Sequence, residues 1–192
     1  MRELPAGMRV KVLAAAELFA DNGLDATRME DIAAATGVPK ATLYYYFAGK
    51  EDILTFHFNE ILDEVARVTE EALKSEGTGA DRLRAAVVAH LRIFEEYPAA
   101  SRTLQFDLGR AARIPLINER IEAAYRRPIR NLLHQGAADG SFRPIDHPGL
   151  IAVAILGAVT TVGINAISLG HKRPLEEIAD DVLGFVMEGV SQ

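Results

Sequence analysis

The side chains best suited to chemistry in this sequence lie in the stretch PKATLYYYF, residues 39–47. Lys40 carries an ammonium group that binds phosphate or a guanine edge, and Thr42 offers a hydroxyl and a methyl group to bases. Tyr44, Tyr45 and Tyr46 add hydroxyl donors for phosphate and flat rings for sugars and bases. This combination indicates contact with duplex DNA. The alternative is that YYYF forms only a hydrophobic helix patch.

Two short helices joined by a tight turn are predicted to position these side chains. Thr27 is the expected N-cap of the first helix, and Glu30 completes a capping box with it. Gly37 suits the helix end because that position often needs positive φ, and Pro39 suits the first turn of the next helix. The second helix of such a motif enters the DNA major groove. The predicted DNA-binding residues are Thr27, Arg28, Pro39, Lys40, Ala41, Thr42, Tyr44, Tyr45, Tyr46 and Lys50.

The string GVPKATLYYYFAGKEDIL resembles the end of the DNA-binding domain of the tetracycline-repressor (TetR) family, and the preceding AAAELFADNGLDATRMEDIAAATG also fits it. Two positions depart from the family pattern, since Pro39 replaces a common serine and Tyr46 a common histidine. The resemblance implies repression of transcription released by a ligand, and pairing of the last two helices with their copies in a second subunit. The positions that match are Gly37, Val38, Leu43, Tyr44, Phe47 and Lys50.

Composition places the chain among ordinary globular proteins. It has 192 residues, 49% hydrophobic and 25% charged, and no cysteine, which excludes disulfides and thiolate metal sites and suits a reducing cytoplasm. The net charge of −6 at first argues against DNA binding. Residues 1–50 nevertheless carry equal numbers of basic and acidic side chains, so the excess of acid lies in residues 51–192. This asymmetry indicates that only the first part meets nucleic acid.

Hydrophobic periodicity predicts helices almost throughout and no strand. The expected fold is therefore all-α, with about nine helices. A three-helix helix-turn-helix domain over residues 1–50 precedes a larger ligand-binding and dimerisation domain over residues 51–192. Proline at position 128 is expected to kink the helix that contains it. The predicted helices beyond the motif are Met8–Asn22, Lys50–Ser75, Asp81–Tyr97 with Asp81 as its cap, Ala99–Arg110, 115–138, Pro148–Gly170 and Leu175–Val190.

The segment Pro148–Gly170 is uncharged and long enough to span a membrane. Its threonines, Asn165 and its glycines make it only moderately apolar, and no other segment resembles a span, which favours burial in a core or an interface. Together with the last helix it exposes too much apolar surface for a monomer, so a homodimer is predicted. The predicted dimer-interface residues are Ile155, Gly157, Val159, Gly163, Val182, Phe185 and Val186.

A ligand pocket is predicted in the larger domain, because a kinked helix beside a short one packs poorly and leaves space. Its lining is mostly apolar, so the effector is expected to be largely apolar with one or two polar groups. The same residues could instead simply fill a core. Whether Arg126, Arg127 and Arg130 face this pocket or solvent stays open. The predicted lining is Phe58, Ile61, Leu62, Leu91, Phe94, Leu104, Phe106, Asp107, Tyr125, Ile129, Leu133, Val159 and Asn165.

Other chemistry has little support. The five histidines fall on separate elements without metal-ligand spacing, so no metal and no cofactor are expected. Phosphate-loop and nucleophile motifs are not found, which argues against an enzyme. The sequence predicts a cytoplasmic, homodimeric regulator that represses transcription at a palindromic operator until a small effector releases it. A ligand-independent regulator or an activator is the alternative, and an enzyme using the helical domain is a more distant one.

Overall fold

The computed structural model describes residues 3–103, 115–168, 170 and 173–190, and within these ranges it forms helices joined by turns and loops, with no strand. Contacts divide the chain into unit 1, Met1–Ile61 with Ala99–Asn118, and unit 2, Leu62–Pro98 with Glu119–Gln192. The predicted all-α class is confirmed. The helices are α1 Ala6–Leu13, α2 Ala16–Ala26, α3 Met29–Thr36, α4 Lys40–Tyr46, α5 Lys50–Leu73, α6 Gly79–Glu96, α7 Pro115–Ile121, α8 Arg127–Asp139, α9 Pro148–Ser168 and α10 Leu175–Val190.

Unit 1 packs α1 to α4 and the start of α5 around one apolar core. The predicted helix over residues 8–22 is interrupted, because the N–H groups of Ala14 and Ala15 bond to carbonyls three residues back and form a turn between α1 and α2. His57 of α5 lies against this turn, edge-on to Phe19 and Phe56 with ring centroids 5.8 Å away in each case. Arg9 of α1 donates two hydrogen bonds to the carboxylate of Glu60 of α5, at 2.6 and 2.7 Å.

Residues 98–103 are also helical and belong to unit 1 from residue 99 onward, where Arg102 pairs with Glu17 at 2.7 Å. The remainder of the predicted helix Ala99–Arg110 lies outside the described residues. The compact unit therefore takes in more than residues 1–50. It includes the first turns of α5 and a returning segment from the middle of the chain.

Unit 2 is built around α6, which packs against α8, α9 and α10. The cap of α6 is Thr78, whose hydroxyl accepts from the Asp81 N–H at 3.3 Å while its own N–H donates to the Asp81 carboxylate at 2.8 Å. The prediction that Asp81 itself caps this helix is wrong by one turn, because Asp81 is the acidic partner of the capping box. Gly136 gives the Phe142 ring room to pack against α8, since a Cβ there would collide with it.

The predicted kink at Pro128 takes the form of a π-helical turn, Glu122–Arg126, between α7 and α8. Proline lacks the N–H that would bond four residues back, and its ring crowds the carbonyl there. Widening the preceding turn by one residue relieves both problems. Gly140, in the left-handed region at φ 83°, ends α8 where the sequence predicts a stop.

Helix α9 has two different sides. Within the described residues, its segment Pro148–Ala166 has the length and composition of a membrane span, and only 28% of that stretch is buried. Ala152, Ile155 and Val159 face the interior of unit 2, while Leu150 and Val153 are exposed. An apolar helix with one buried and one open face is typical of an oligomer interface.

Candidate DNA-binding and effector sites

Helix α4 presents its predicted contact residues to solvent. Tyr44 and Tyr45 are 49% and 60% exposed, while Leu43 and Phe47, which share the opposite face, are buried. Tyr46 is half-buried and meets the Tyr45 ring edge-on at 4.9 Å. The arrangement holds two rigid aromatic side chains outward on a helix that is anchored from behind. The other exposed members of the predicted set are Arg28, Pro39, Lys40 and Ala41, and Thr42 and Lys50 are half-buried.

The turn between α3 and α4 is fixed by backbone geometry and one side chain. Gly37 adopts φ 63° and ψ 21°, the left-handed conformation that favours glycine. Thr36 donates its hydroxyl to the Ile32 carbonyl at 2.7 Å and accepts the Val38 N–H at 3.3 Å. These contacts set the direction in which α4 leaves α3, which is the property that a helix-turn-helix needs in order to place its second helix.

Thr27 does not have its predicted role. Its side chain is 1% exposed and donates to the Gly23 carbonyl at 2.7 Å, so it closes the end of α2. The cap of α3 is one residue later, where the Arg28 N–H donates to the Asp31 carboxylate at 3.0 Å. The predicted capping box of Thr27 with Glu30 is therefore wrong. Thr27 is almost fully buried, although it borders the open cleft that Arg28 and Lys40 also line, and its contact with DNA stays a prediction.

Lys50 has an intramolecular role in addition to any contact with DNA. Its ammonium group donates to the carbonyls of Asp25 and Thr27, at 3.0 Å in both cases. The first residue of α5 is thereby tied to the corner between α2 and α3. An ammonium has three donors, so one N–H remains for another acceptor.

Glu30 forms an ion pair with Lys40 that sequence reasoning missed. Hydrogen bonding to Lys40 lowers the pKa of Glu30, and hydrogen bonding to Glu30 raises the pKa of Lys40. Lys40 also lies 5.8 Å from the centroid of the Tyr44 ring. The pair borders an open cleft of about 330 Å³ whose lining also includes Arg28, Lys50 and Glu51.

Six of the predicted pocket residues are buried in unit 2, and two of them, Phe94 and Tyr125, contact the ring of His90. The His90 ring stacks on Phe94 at 5.4 Å and meets Tyr125 at 4.7 Å. Neither Nδ1 of His90 nor the Tyr125 hydroxyl has a hydrogen-bond partner among the described residues, and the same holds for the Thr69 hydroxyl. Burial lowers the pKa of His90 to about 4 and raises the pKa of Tyr125. The six residues are Leu91, Phe94, Tyr125, Ile129, Leu133 and Val159.

The other predicted pocket residues lie elsewhere. Phe58 and Ile61 are buried within unit 1, and Leu62 is half-buried in unit 2. Asn165 is exposed and lines a groove between α9 and α10, so it is not among the buried members of the predicted lining, and its contact with a ligand stays a prediction. Leu104, Phe106 and Asp107 lie outside the described residues. Glu122 pairs with Arg126 at 3.2 Å and with Arg130 at 2.9 Å, whereas Arg127 is exposed.

The groove between α9 and α10 is the open apolar surface of unit 2, with a volume of about 630 Å³. Gly157 and Phe185 of the predicted interface lie in it, and Phe185 is 79% exposed. Val182 lines the groove from a buried position, and Val186 is half-buried. Ile155 and Val159 are wrong as interface residues, because they are buried in the core of unit 2.

Gly163 also has a different role from the one predicted. A Cβ at this position would collide with the Phe94 ring, so the glycine permits α6 and α9 to approach within one chain. A Cβ at Gly157 would meet no atom of the described chain within 4 Å, so this position stays open to a partner. Within the described residues, no cluster of histidine, aspartate and glutamate could hold a metal ion.

An anchored helix-turn-helix with an exposed basic and aromatic second helix, followed by a larger helical unit, defines a DNA-binding transcriptional regulator. The profile of "Bacterial regulatory proteins, tetR family" matches residues 12–55, and that of "Tetracyclin repressor-like, C-terminal domain" matches residues 76–190. The chain belongs to the tetR family of bacterial regulatory proteins.

Similar proteins span nearly the whole chain. The HTH-type transcriptional repressor KstR2 of Mycolicibacterium smegmatis is 27% identical over 191 residues, which cover 98% of this chain and 93% of that protein. The fatty acid metabolism regulator protein of Bacillus subtilis is 26% identical over 180 residues, 92% of each chain. The structure of FadR from Bacillus subtilis in complex with stearoyl-CoA has a TM-score of 0.78 and 22% identity, covering 94% of this chain and 98% of that one.

Proposed function

We propose that this protein is a homodimeric, cytoplasmic repressor that binds a near-palindromic operator and is released from it by a largely apolar effector. The observation that carries the proposal is the outward face of α4, with Lys40, Tyr44 and Tyr45 exposed on a helix whose other face is anchored by Leu43 and Phe47. A helix of this kind fits the major groove and offers phosphate and base contacts together.

The apolar groove between α9 and α10 supports the dimer. Phe185 and Val153 are large apolar side chains exposed on this part of unit 2, and Gly157 leaves space for close approach. A second copy related by two-fold symmetry would cover the same groove on each chain. Such a dimer presents two α4 helices to the two halves of a palindromic site.

The cluster of His90, Tyr125 and Phe94 supports an effector site in unit 2. Buried polar atoms without partners are costly, and native proteins retain them mainly where a ligand, a water or a function uses them. Nδ1 of His90 and the Tyr125 hydroxyl are two such atoms in an otherwise apolar environment. They suit an effector with a long apolar part and one or two polar groups. The fatty acid and ketosteroid regulators among the similar proteins lead us to test acyl-CoA thioesters first.

DNA binding is tested by fluorescence anisotropy with duplexes that tile the region upstream of the protein's own gene. We expect one near-palindromic segment to bind more tightly than a scrambled duplex at the same salt concentration. Tyr45→Ala should cost about 1–3 kcal/mol on that segment and change its base preference. Tyr97→Ala, an exposed tyrosine of unit 2, is the matched control and should bind normally. Equal affinity for every duplex would contradict an operator-specific regulator.

Effector release is tested by adding stearoyl-CoA and shorter acyl-CoA thioesters to the protein–operator complex. A working effector should raise the thermal midpoint and weaken operator binding by about 1–3 kcal/mol. Tyr125→Phe removes only the buried hydroxyl, so it should keep the fold and reduce the response by about fivefold, whereas Tyr97→Phe should not. Compounds that stabilise the protein without changing operator affinity would leave a binding site but refute its regulatory role.

A further inference from the structure

The ion pair between Glu30 and Lys40 joins the two helices of the DNA-binding motif on their exposed side. Glu30 lies in the first turn of α3 and Lys40 is the first residue of α4. Their side chains are 62% and 45% exposed, so the pair sits at the surface that α4 turns outward and not in the core between the helices. The ammonium group that is expected to meet DNA is therefore already bound to a carboxylate.

The surroundings of the pair hold both signs of charge. Arg28, Lys40 and Lys50 line the adjoining cleft together with the carboxylates of Glu30 and Glu51. Lys50 uses two of its donors on backbone carbonyls, and Lys40 is held by Glu30. Residues 1–50 as a whole carry no net charge. The positive field that draws a protein to any duplex is thus largely cancelled at this surface.

We propose that Glu30 competes with DNA phosphate for Lys40 and so limits the affinity of the protein for all duplex DNA. The inference rests on the proposed function only in requiring that α4 meets DNA. A phosphate oxygen and the Glu30 carboxylate present the same acceptor to the same ammonium group, and Lys40 cannot satisfy both with one geometry. Binding therefore includes the loss of an intramolecular pair, and the carboxylate left behind lies close to the phosphate backbone.

The directions of the pKa shifts are consistent with this competition. Lys40 and Glu30 stabilise each other's charged forms, so both groups stay ionised at neutral pH and the carboxylate stays a full competitor. Exposed ion pairs contribute little to folding. Removing this one should therefore leave the thermal midpoint nearly unchanged while changing the binding of a polyanion.

The test compares Glu30→Gln with the wild-type protein on the operator segment and on a scrambled duplex, over a range of salt concentrations. Glutamine keeps the length of the side chain and removes its charge. We expect binding to both duplexes to tighten about two- to fivefold, the range set by one exposed ion pair. The slope of log affinity against log salt should steepen by up to about 0.9, the value for one phosphate contact, because Lys40 of the variant no longer exchanges an internal ion pair for that contact. Glu30→Ala is a second variant with the same expected direction.

Glu51→Gln is the matched control. Glu51 is an exposed carboxylate of the same cleft, in the first turn of α5, so its replacement makes the same change in net charge without releasing Lys40. We expect a smaller gain in affinity and a smaller change in salt slope. Equal effects of Glu51→Gln and Glu30→Gln would show that only the general field matters and would overturn the proposal.

A double-mutant cycle with Lys40→Met isolates the pair. In the Lys40→Met background, Glu30→Gln should lose its advantage over Glu51→Gln. Weaker binding by Glu30→Gln would mean that the carboxylate orients Lys40 for DNA, which is the opposite role and refutes the proposal. Wild-type protein that binds no duplex would refute the proposed function instead, so the two failures are distinguishable.

Discussion

At the scale of single residues, two buried histidines contribute to the way the stability of the protein responds to acid. His57 lies in the core of unit 1 against Phe19 and Phe56, and His90 lies in the core of unit 2. Burial lowers the pKa of His57 to about 4, opposed by a hydrogen bond with the backbone of Val12. Burial also lowers the pKa of His90 to about 4. Both imidazoles are therefore neutral in the folded protein at neutral pH.

The pH prediction follows from the sign of these shifts. Each histidine has a pKa of about 4 in the folded protein and 6.5 in the unfolded chain, so its contribution to the free energy of unfolding is complete above pH 6.5. That contribution is lost as pH falls from 6.5 to about 4, because the unfolded chain binds protons first. Each histidine accounts for about 3 kcal/mol over this window. Urea unfolding over the range from about pH 8 to about pH 4 measures the loss.

A variant separates the two histidines from the background. His57→Leu should remove about half of the histidine-dependent loss in the free energy of unfolding as the pH falls, since leucine does not titrate. His134→Gln, which replaces an exposed histidine of unit 2, is the control variant. A free energy of unfolding that stays constant in the wild-type protein from neutral pH to about pH 4.5 would contradict the assignment.

Sequence reasoning at this scale identified side-chain types better than partners. Tyr44 and Tyr45 are exposed as the pattern predicts, but Thr27 is a buried end of α2 and not the cap of α3. Several hydrogen-bond donors and acceptors lie close together near residue 27, and the folded structure determines which of them pair. The pair of Glu30 and Lys40 is separated by ten residues of sequence and meets only through the turn at Gly37.

At the scale of elements, Gly157 and Gly163 of α9 have different structural roles, although the sequence alone does not distinguish them. A Cβ at Gly163 would collide with the Phe94 ring of α6, whereas a Cβ at Gly157 would meet no atom of the described chain within 4 Å. Gly163 is thus required for packing inside unit 2, and Gly157 belongs to the open face.

The element-scale prediction contrasts alanine at the two positions. Gly163→Ala should destabilise the protein by about 1–3 kcal/mol, because overpacking outweighs the better helix propensity of alanine. Gly157→Ala should stabilise the isolated chain by up to about 1 kcal/mol and weaken the proposed dimer. Chemical unfolding and sedimentation of both variants give the two quantities. Gly163→Ala with an unchanged unfolding midpoint would contradict the close packing of α6 and α9.

Helix boundaries were largely predictable, whereas helix continuity was not. Gly37 and Gly140 end α3 and α8 in the left-handed conformation that their positions in the sequence suggest. The break between α1 and α2 falls in an alanine run that carries no breaking residue, so tertiary packing decides it. Pro128 predicts a disturbance, but not that the disturbance is a π-turn in the residues before it.

At the scale of the whole molecule, the proposed dimer uses the apolar face of α9 and α10. The sequence predicts an apolar surface here, but it does not distinguish the buried side of α9 from the exposed side. Both sides are apolar, and the periodicity that separates core from surface is missing. Ile155 therefore belongs to the core, and a charge there would test folding and not assembly.

Phe185→Glu is the substitution that tests assembly. Phe185 is exposed, so the charge costs little in the separate chain, but it should prevent a second copy from covering the groove. We expect light scattering to report a monomer at micromolar concentration and operator affinity to fall at least tenfold. Val10→Glu, at a site 72% exposed in unit 1, should remain a dimer. A monomeric wild-type protein under the same conditions would refute the dimer.

The contacts of Lys50 connect the first residue of α5 to the end of α2 within unit 1. One ammonium group holds the carbonyls of two residues that flank the end of α2, and it sits on the first residue of α5. Both bonds are 3.0 Å long, the ordinary distance between an N–H donor and a carbonyl oxygen. Displacing residues 25–27 without the start of α5 therefore breaks both bonds, so the two contacts couple the end of α2 to the first turn of α5.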